Sequence, residues 1–411
     1  MPDLKDTLTR ALRATPFAYG ALLVLARALP VVTIIVASRL LPADEFGSLA
    51  VLITAITVAS LIADAGTDNA AGWIASHADT QEQADRTLGA LVYTRVAVAG
   101  LATAALTVPQ LGFLAGNAAN HVGILVVAVL GNCLASLNAA RRIRMRVVGG
   151  GEPRAILLEK LCLSVAFGAW LALAPATELS VVWGYVLANL LAPIVASPLL
   201  PWVNMRSSAA AIGALLGRAA PFILTTLCSA LTWRAATFLL AESDQLDQAG
   251  YLTLAYYPIQ VIATVPAVSA PLLLIKGRSA QLSMRMSLFS ALGVGVLIAG
   301  VCLGLSLLPE MLGMGGHLNG DAVLAFQVML LAVPLVWINP ILISHLRLKM
   351  DAWRPTLAPL VSAVAALALA LAVVPSKGAP GAAAVIACAE LITCVGLLIL
   401  LSIQRREARA Q

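Results

Sequence analysis

The sequence predicts an all-α integral membrane protein of about twelve transmembrane helices, and three observations carry that prediction. Of its 411 residues 60% are hydrophobic and only 11% are charged, too few to cover a water-soluble surface, so lipid must serve as part of the solvent. Apolar runs near or above the ~20 residues needed to cross a bilayer recur from one end of the chain to the other, with thin connections between them. The lysines and arginines gather in short clusters between those runs, as orientation signals do.

The first run, Phe17 to Leu41, is interrupted by Arg27 and Pro30 and is too long for a signal-peptide core, so it is expected as an uncleaved helix. The second, 46–66, follows the acidic turn Asp44 and Glu45 and carries Asp64 near its end. The third, 88–109, contains Arg95, and the fourth, 119–140, ends in the basic stretch Arg141 to Arg154. The fifth, 155–175, holds Glu159 and Lys160 one turn in, and the sixth, 179–203, follows Glu178. Arg234 lies within the seventh, 221–241. The eighth, 249–275, contains Tyr256, Tyr257, Pro258, Pro266 and Pro271, prolines that bend a membrane helix by removing backbone hydrogen bonds. Runs at 286–309, 322–346, 356–375 and 381–403 complete the series. Helices are required throughout, because a backbone in hydrocarbon must satisfy its own hydrogen bonds.

Alternate connections are basic: Lys5, Arg10 and Arg13; the Arg141 to Arg154 stretch; Arg206 and Arg218; Lys276, Arg278 and Arg285; Arg347, Lys349 and Arg354; and Arg405, Arg406 and Arg409; the connection from Thr67 to Thr87, with Arg86 as its only basic residue, is placed on the same side by parity. The intervening turns are short and several are acidic, with Lys377 the exception. By the positive-inside rule both termini are cytoplasmic. Nothing sizeable projects outward, which argues against a membrane polymerase or ligase with a catalytic outer loop.

Other classes are excluded on chemistry. The net charge of +6 is distributed as membrane anchors, so no nucleic-acid partner is expected. The six cysteines sit inside apolar runs without a CxxC pair, and His121, His317 and His345 are scattered, so neither a metal site nor a catalytic pair is expected. The GGG of the basic stretch lacks the GK[ST] ending of a phosphate loop, and no cofactor is implied.

Two passages look alike: LLPADEFGSLA at Leu40 to Ala50 and SDQLDQAGYLTLA at Ser243 to Ala255. Each sets acidic residues before a glycine that opens a long apolar helix, and each follows a helix containing an arginine, Arg27 or Arg234. A turn preference for Asp and Gly accounts for such a pattern too. Read as a duplication, it divides the chain into an N-terminal six-helix lobe at 1–203, a cytoplasmic linker at 204–220 and a C-terminal six-helix lobe at 221–411. Repeated halves are a common transporter plan.

The stretch from Arg27 to Gly66 resembles the first two helices of the Wzx-like oligosaccharide flippases, in the pattern Arg39, Leu40, Leu41, then Asp44, Glu45, Phe46 and Gly47. The segment from Arg218 to Val261 resembles the seventh and eighth helices of the same family, with Gly250, Tyr251 and Ala255 after the acidic turn. The wider superfamily includes multidrug extruders and lipid II flippases. The resemblance implies two lobes around a central cavity that opens alternately to either side. It also implies an undecaprenyl-diphosphate-linked oligosaccharide as substrate, turned over in the bacterial inner membrane for polysaccharide biosynthesis, with a polymerase and export machinery acting downstream. An ion-coupled drug antiporter is the competing reading; it requires an acidic ion site within the helices, whereas the deep charges here are mostly arginines.

On that reading the candidate substrate-binding residues are the intramembrane cations Arg27, Arg95 and Arg234. A charge at a helix centre costs at least ~2.5 kcal/mol on insertion scales and must face something polar, and a guanidinium matches a diphosphate with paired donors. The alternative for each is a nearby carboxylate partner or a reach to the interface. Asp64, Glu159 and Lys160 are candidates for a gate or for ion coupling, against the alternative of simple local pairing.

Overall fold

A computed structural model describes residues 16–64, 66–67, 80–148, 152–201, 209–276, 284–311, 320–351 and 353–410. The basic tail with Lys5, Arg10 and Arg13, the GGG run, Arg206, Arg278 and His317 lie outside them. The described residues are helical almost throughout and contain no strand. Among them nine helices are long and apolar enough to cross a membrane, and Ala291–Gly304 is a shorter apolar helix. The protein is a multi-pass membrane protein. It divides into two compact units, Met1–Leu227 and Cys228–Gln411.

The first unit contains α1 (Pro16–Leu40), α2 (Ala43–Asp64), α3 (Gln81–Gln110), α4 (Ala118–Val148), α5 (Glu152–Leu173) and α6 (Glu178–Ala196), with the beginning of α7 (Ala209–Glu242). Here α3 packs between α2 and α4, α5 packs on α1 and α6, and α6 returns to α4. The expected linker at 204–220 is partly outside the described residues, and from Ala209 onward it is already helix. Leu215 and Ala219, with Ala211, Ile212 and Ile223 beside them, form one apolar face against Leu88 and Leu91 of α3 and Ala140 and Ile143 of α4. Arg218 and Pro221 obscured that face in the sequence, yet the three-and-four spacing of its apolar residues is that of a half-buried helix.

Polar side chains fasten these helices where apolar packing cannot specify register. Asn132 on α4 donates through Nδ2 to the Ile56 carbonyl (3.0 Å) and to Thr103 Oγ1 (2.8 Å), joining α2, α3 and α4. Arg141, the first residue of the basic stretch, caps the end of α6. Its guanidinium donates to the carbonyls of Ser197 (3.1 Å), Leu200 (2.6 Å) and Pro201 (3.1 Å) and to Ser197 Oγ (2.6 Å). The last carbonyls of a helix run short of intrahelical donors, the Leu200 N–H answering only that of Ser197 (3.1 Å), and a cation at a helix C-terminus complements its dipole.

In the second unit α8 (Leu246–Lys276) packs on α10 (Gly320–Leu330) and α11 (Val333–Lys349), and α9 (Met284–Met311) lies on α11. The run 322–346, expected as one helix, is two. Pro334 has no N–H to give the Leu330 carbonyl, and the chain tightens there into three-residue turns, Leu331 N–H to Val328 O and Ala332 N–H to Met329 O. The runs expected at 356–375 and 381–403 form α12 (Leu357–Ala410), interrupted at Gly378. Its arms lie antiparallel, since Ser362 Oγ donates to the Ala389 carbonyl (2.6 Å) and a Cβ on Gly396 would meet Ala358.

Gly378 makes that reversal possible. Its φ of +59° is left-handed, and a Cβ there would stand 2.6 Å from Gln248 Oε1, which accepts the Ala379 N–H (3.0 Å). Gln248 Nε2 in turn donates to Asp321 Oδ2 (3.0 Å), so the side chain in the way is fixed at both ends. Gly378→Ala is therefore expected to cost about 1–2 kcal/mol from backbone conformation alone, with further loss as Gln248 is displaced. Thermal unfolding in detergent checks this against Gly300→Ala, where a Cβ meets open space and a neutral or stabilising change is expected.

The glycines of the two similar passages occupy the same place. Gly47 and Gly250 are both buried, four residues after Ala43 and Leu246, which begin α2 and α8. Before α8 the turn closes on Asp244, whose φ is +55°, while the Gln245 N–H returns to the Leu240 carbonyl (2.9 Å). Aspartate is among the few side chains that tolerate this conformation.

Candidate functional site

Two of the candidate carboxylates in the first unit lie against cations. Asp64, the last residue of α2, lies 3.5 Å from Arg95 of α3, whose side chain is buried. Glu159 of α5 accepts from Arg142 Nη1 of α4 at 2.5 Å and lies 3.9 Å from Lys160 Nζ. Arg27 is exposed on α1 and close enough to Lys160 for their charges to interact. The alternative of local pairing thus holds for two sets of candidates: Asp64 with Arg95, and Glu159 with Lys160, the Glu159 carboxylate also taking Arg142 of α4. Both bring helices adjacent in the fold into register, and both leave their carboxylates with a cation at hand.

Arg234, in the second unit, has a different environment. It is 2% exposed, and its Cζ lies 3.8 Å above the centroid of the Tyr256 ring of α8, with the Tyr257 ring centroid at 5.9 Å. Its Nε and Nη2 are buried and have no hydrogen-bond partner among the described residues. The electron-rich faces of the tyrosines offset part of the cost of burying the cation, by about 0.5–2 kcal/mol. The ring faces do not satisfy Nε and Nη2, which lie in the guanidinium plane; the guanidinium does make a side-chain hydrogen bond with Tyr257. What remains is a pre-oriented pair of donors inside an apolar helix assembly, a form suited to two oxygens of one anion.

Beside it lies a carboxylate that linear reading passed over. Glu390 of α12 accepts from Trp233 Nε1 (2.7 Å) through Oε1 and from Asn339 Nδ2 of α11 (2.7 Å) through Oε2. Asn339 is 4% exposed and also donates to the Glu390 carbonyl (3.1 Å). Trp233 stands edge-on to Tyr256, with ring centroids 5.3 Å apart. The signal was present: Glu390 is the only acidic residue between Asp351 and Glu407, in a stretch apolar enough to span a membrane. Intramembrane carboxylates are functional candidates by default. Among the described residues no group of His, Cys, Asp and Glu side chains is disposed to hold a metal ion.

Residues 16–273 match the family model described as polysaccharide biosynthesis protein. The chain belongs to the polysaccharide biosynthesis protein family. The match runs through α8, so it includes Arg27, Arg95, Arg234 and both tyrosines. Comparison with curated proteins by sequence returns no match. Solved structures share the fold of this family member at low identity. A lipid II flippase MurJ in an inward closed conformation aligns with a TM-score of 0.71 and 12% identity, covering 94% of this chain and 87% of that one. A eukaryotic MATE transporter, AtDTX14, gives 0.66 and 12%, covering 98% and 99%. A transporter of the MOP superfamily from Pyrococcus furiosus gives 0.60 and 12%, covering 98% and 96%. The fold is thus shared with a lipid II flippase and a MATE transporter.

Proposed function

We propose that this family member is a flippase that carries undecaprenyl-diphosphate-linked oligosaccharide from the cytoplasmic to the periplasmic leaflet of a bacterial inner membrane, by alternating access, for polysaccharide biosynthesis and export. The observation that carries the reading is Arg234: a buried guanidinium on a tyrosine platform, with two N–H donors unanswered among the described residues. A diphosphate is the part of such a substrate least able to enter hydrocarbon, and paired charge-assisted hydrogen bonds replace its water most effectively. Tyr256, Tyr257 and Trp233 add the aromatic faces on which sugar rings pack.

In the same reading Arg27 and Arg95 are further cations of the headgroup path, Arg95 releasing Asp64 as the anion arrives. The Glu159, Lys160 and Arg142 cluster holds α4 and α5 together near the gate. The alternation of basic connections supports cytoplasmic termini. A polysaccharide polymerase and export machinery act on the product.

The test is translocation in proteoliposomes holding the purified protein and a fluorescent, diphosphate-linked oligosaccharide lipid, with the outer-leaflet pool quenched. The expected result is loss of protection that depends on the protein and is slowed by excess unlabelled lipid-linked sugar. Export of small organic cations with no movement of the glycolipid would replace this reading by the drug antiporter.

A further inference from the structure

We infer that Glu390 is a proton-binding site linked, through Trp233 and Tyr256, to anion binding at Arg234; the inference rests on the anion-binding role proposed for that arginine. The four groups are in unbroken contact: Glu390 Oε1 accepts the Trp233 indole N–H at 2.7 Å, the indole meets Tyr256 at 5.3 Å, and the Tyr256 ring lies 3.8 Å beneath the Arg234 guanidinium. Trp233 and Arg234 are also neighbours in the backbone of α7, so a shift of the indole is felt by the arginine along two routes.

Two observations mark Glu390 as a group with two charge states. First, both of its carboxylate oxygens are held by neutral N–H donors, and it makes no ion pair among the described residues, unlike Asp64 and Glu159. Second, Asn339 carries its own unanswered atom: Oδ1 is buried and accepts no hydrogen bond among the described residues. In the ionised state Asn339 Nδ2 donates to Glu390 Oε2. A half-turn of the carboxamide brings Oδ1 to the same place, where it accepts the O–H of a protonated Glu390. The site therefore satisfies the acid and the carboxylate alike.

The step is proton uptake from water by Oε2, taking the side chain from one negative charge to none, with no other covalent bond changed. Its direction follows from electrostatics. The carboxylate competes with an incoming anion for the field of Arg234, and holds Trp233 by a charge-assisted bond that weakens on protonation. Protonation thus favours the anion, and the bound anion favours the proton by the same factor. The other titratable groups facing Glu390 are Cys394, one turn along α12, and across the relay Tyr256 and Tyr257 of α8 and Arg234 of α7. From α11 it meets the neutral Asn339, and Asp321 in the first turn of α10 is held by Gln248.

The experiment measures binding of farnesyl diphosphate to the full chain in nanodiscs from mildly acidic to mildly alkaline pH. Wild type is expected to bind at least about fivefold more tightly at the acidic end. In Glu390→Gln the pH dependence disappears and the affinity stays near the acidic value; in Trp233→Phe, which keeps the carboxylate but lacks the indole N–H, it also disappears. If Trp233→Phe does not fold, Asn339→Ala serves in its place and moves the midpoint of the pH curve. A Glu390→Gln variant that keeps the wild-type pH slope, or a Trp233→Phe variant that does, overturns the relay while leaving Arg234 as the anion site. A wild-type protein that binds no farnesyl diphosphate at any pH overturns both.

Discussion

Arg234→Ala is expected to reduce glycolipid translocation by about ten- to a hundredfold, the equivalent of losing hydrogen bonds from a charged donor worth about 1.5–3 kcal/mol. The loss falls on transport, with little on folding, because the side chain contributes unanswered donors to the resting structure. Its removal also ends the burial of a cation and leaves Tyr256 and Tyr257 packed on each other, with ring centroids 6.0 Å apart. Thermal stability should therefore be equal or higher in the alanine variant while its rate falls. Arg234→Lys restores the charge without the planar fork or the stacking, and is expected to recover only part of the rate. Initial rates at saturating and limiting glycolipid separate the two contributions.

The opposite balance is expected at Glu159. Its carboxylate is 6% exposed and sits against Arg142, 15% exposed, with Lys160 and Arg27 close by. Glu159→Ala removes the carboxylate that Arg142 and Lys160 share. Removing one partner of a buried pair strands the other, at about 3–5 kcal/mol. Replacing both Glu159 and Arg142 with apolar residues of similar volume should recover much of that loss. Glu82→Ala is the control: its pair with Arg86 is exposed, at 75% and 61%, and is worth about 0.2–1 kcal/mol. Unfolding midpoints in detergent rank the three, and an equal effect at Glu159 and Glu82 would show that the interior cluster does not hold α4 to α5.

The membrane helices were legible because hydrocarbon imposes one rule on every residue of a span, and composition alone reveals whether it is obeyed. What composition does not reveal is where a continuous apolar run is cut. Pro334 splits the run at 322–346 without changing its hydropathy, and Arg218 and Pro221 disguise the start of α7, whose apolar face lies on α3 and α4. The reversal within α12 was legible in the polar interruption around Lys377, but its mechanism was not: it depends on Gln248, 131 residues away from Ala379.

The candidate site divides in the same way. Arg95 and Arg234 stand out equally in the sequence as arginines in apolar runs, yet the first meets Asp64 from the neighbouring helix and the second meets tyrosines. Only the fold distinguishes a cation with a carboxylate beside it from one whose donors await an anion. Glu390 escaped notice because the deep charges were read as mostly arginines, and it is one carboxylate in a mainly apolar stretch between Asp351 and Glu407. Its indole and carboxamide donors come from residues 157 and 51 positions away, a pairing no local pattern contains.

The central claim is that the guanidinium of Arg234 receives the diphosphate of a lipid-linked sugar, and a density map of the protein in nanodiscs with that lipid bound addresses it directly. The account predicts diphosphate density within hydrogen-bonding distance of Arg234 Nε and Nη2, over the Tyr256 ring. Diphosphate density elsewhere, with Arg234 still enclosed against Tyr256 and untouched by the ligand, would contradict it.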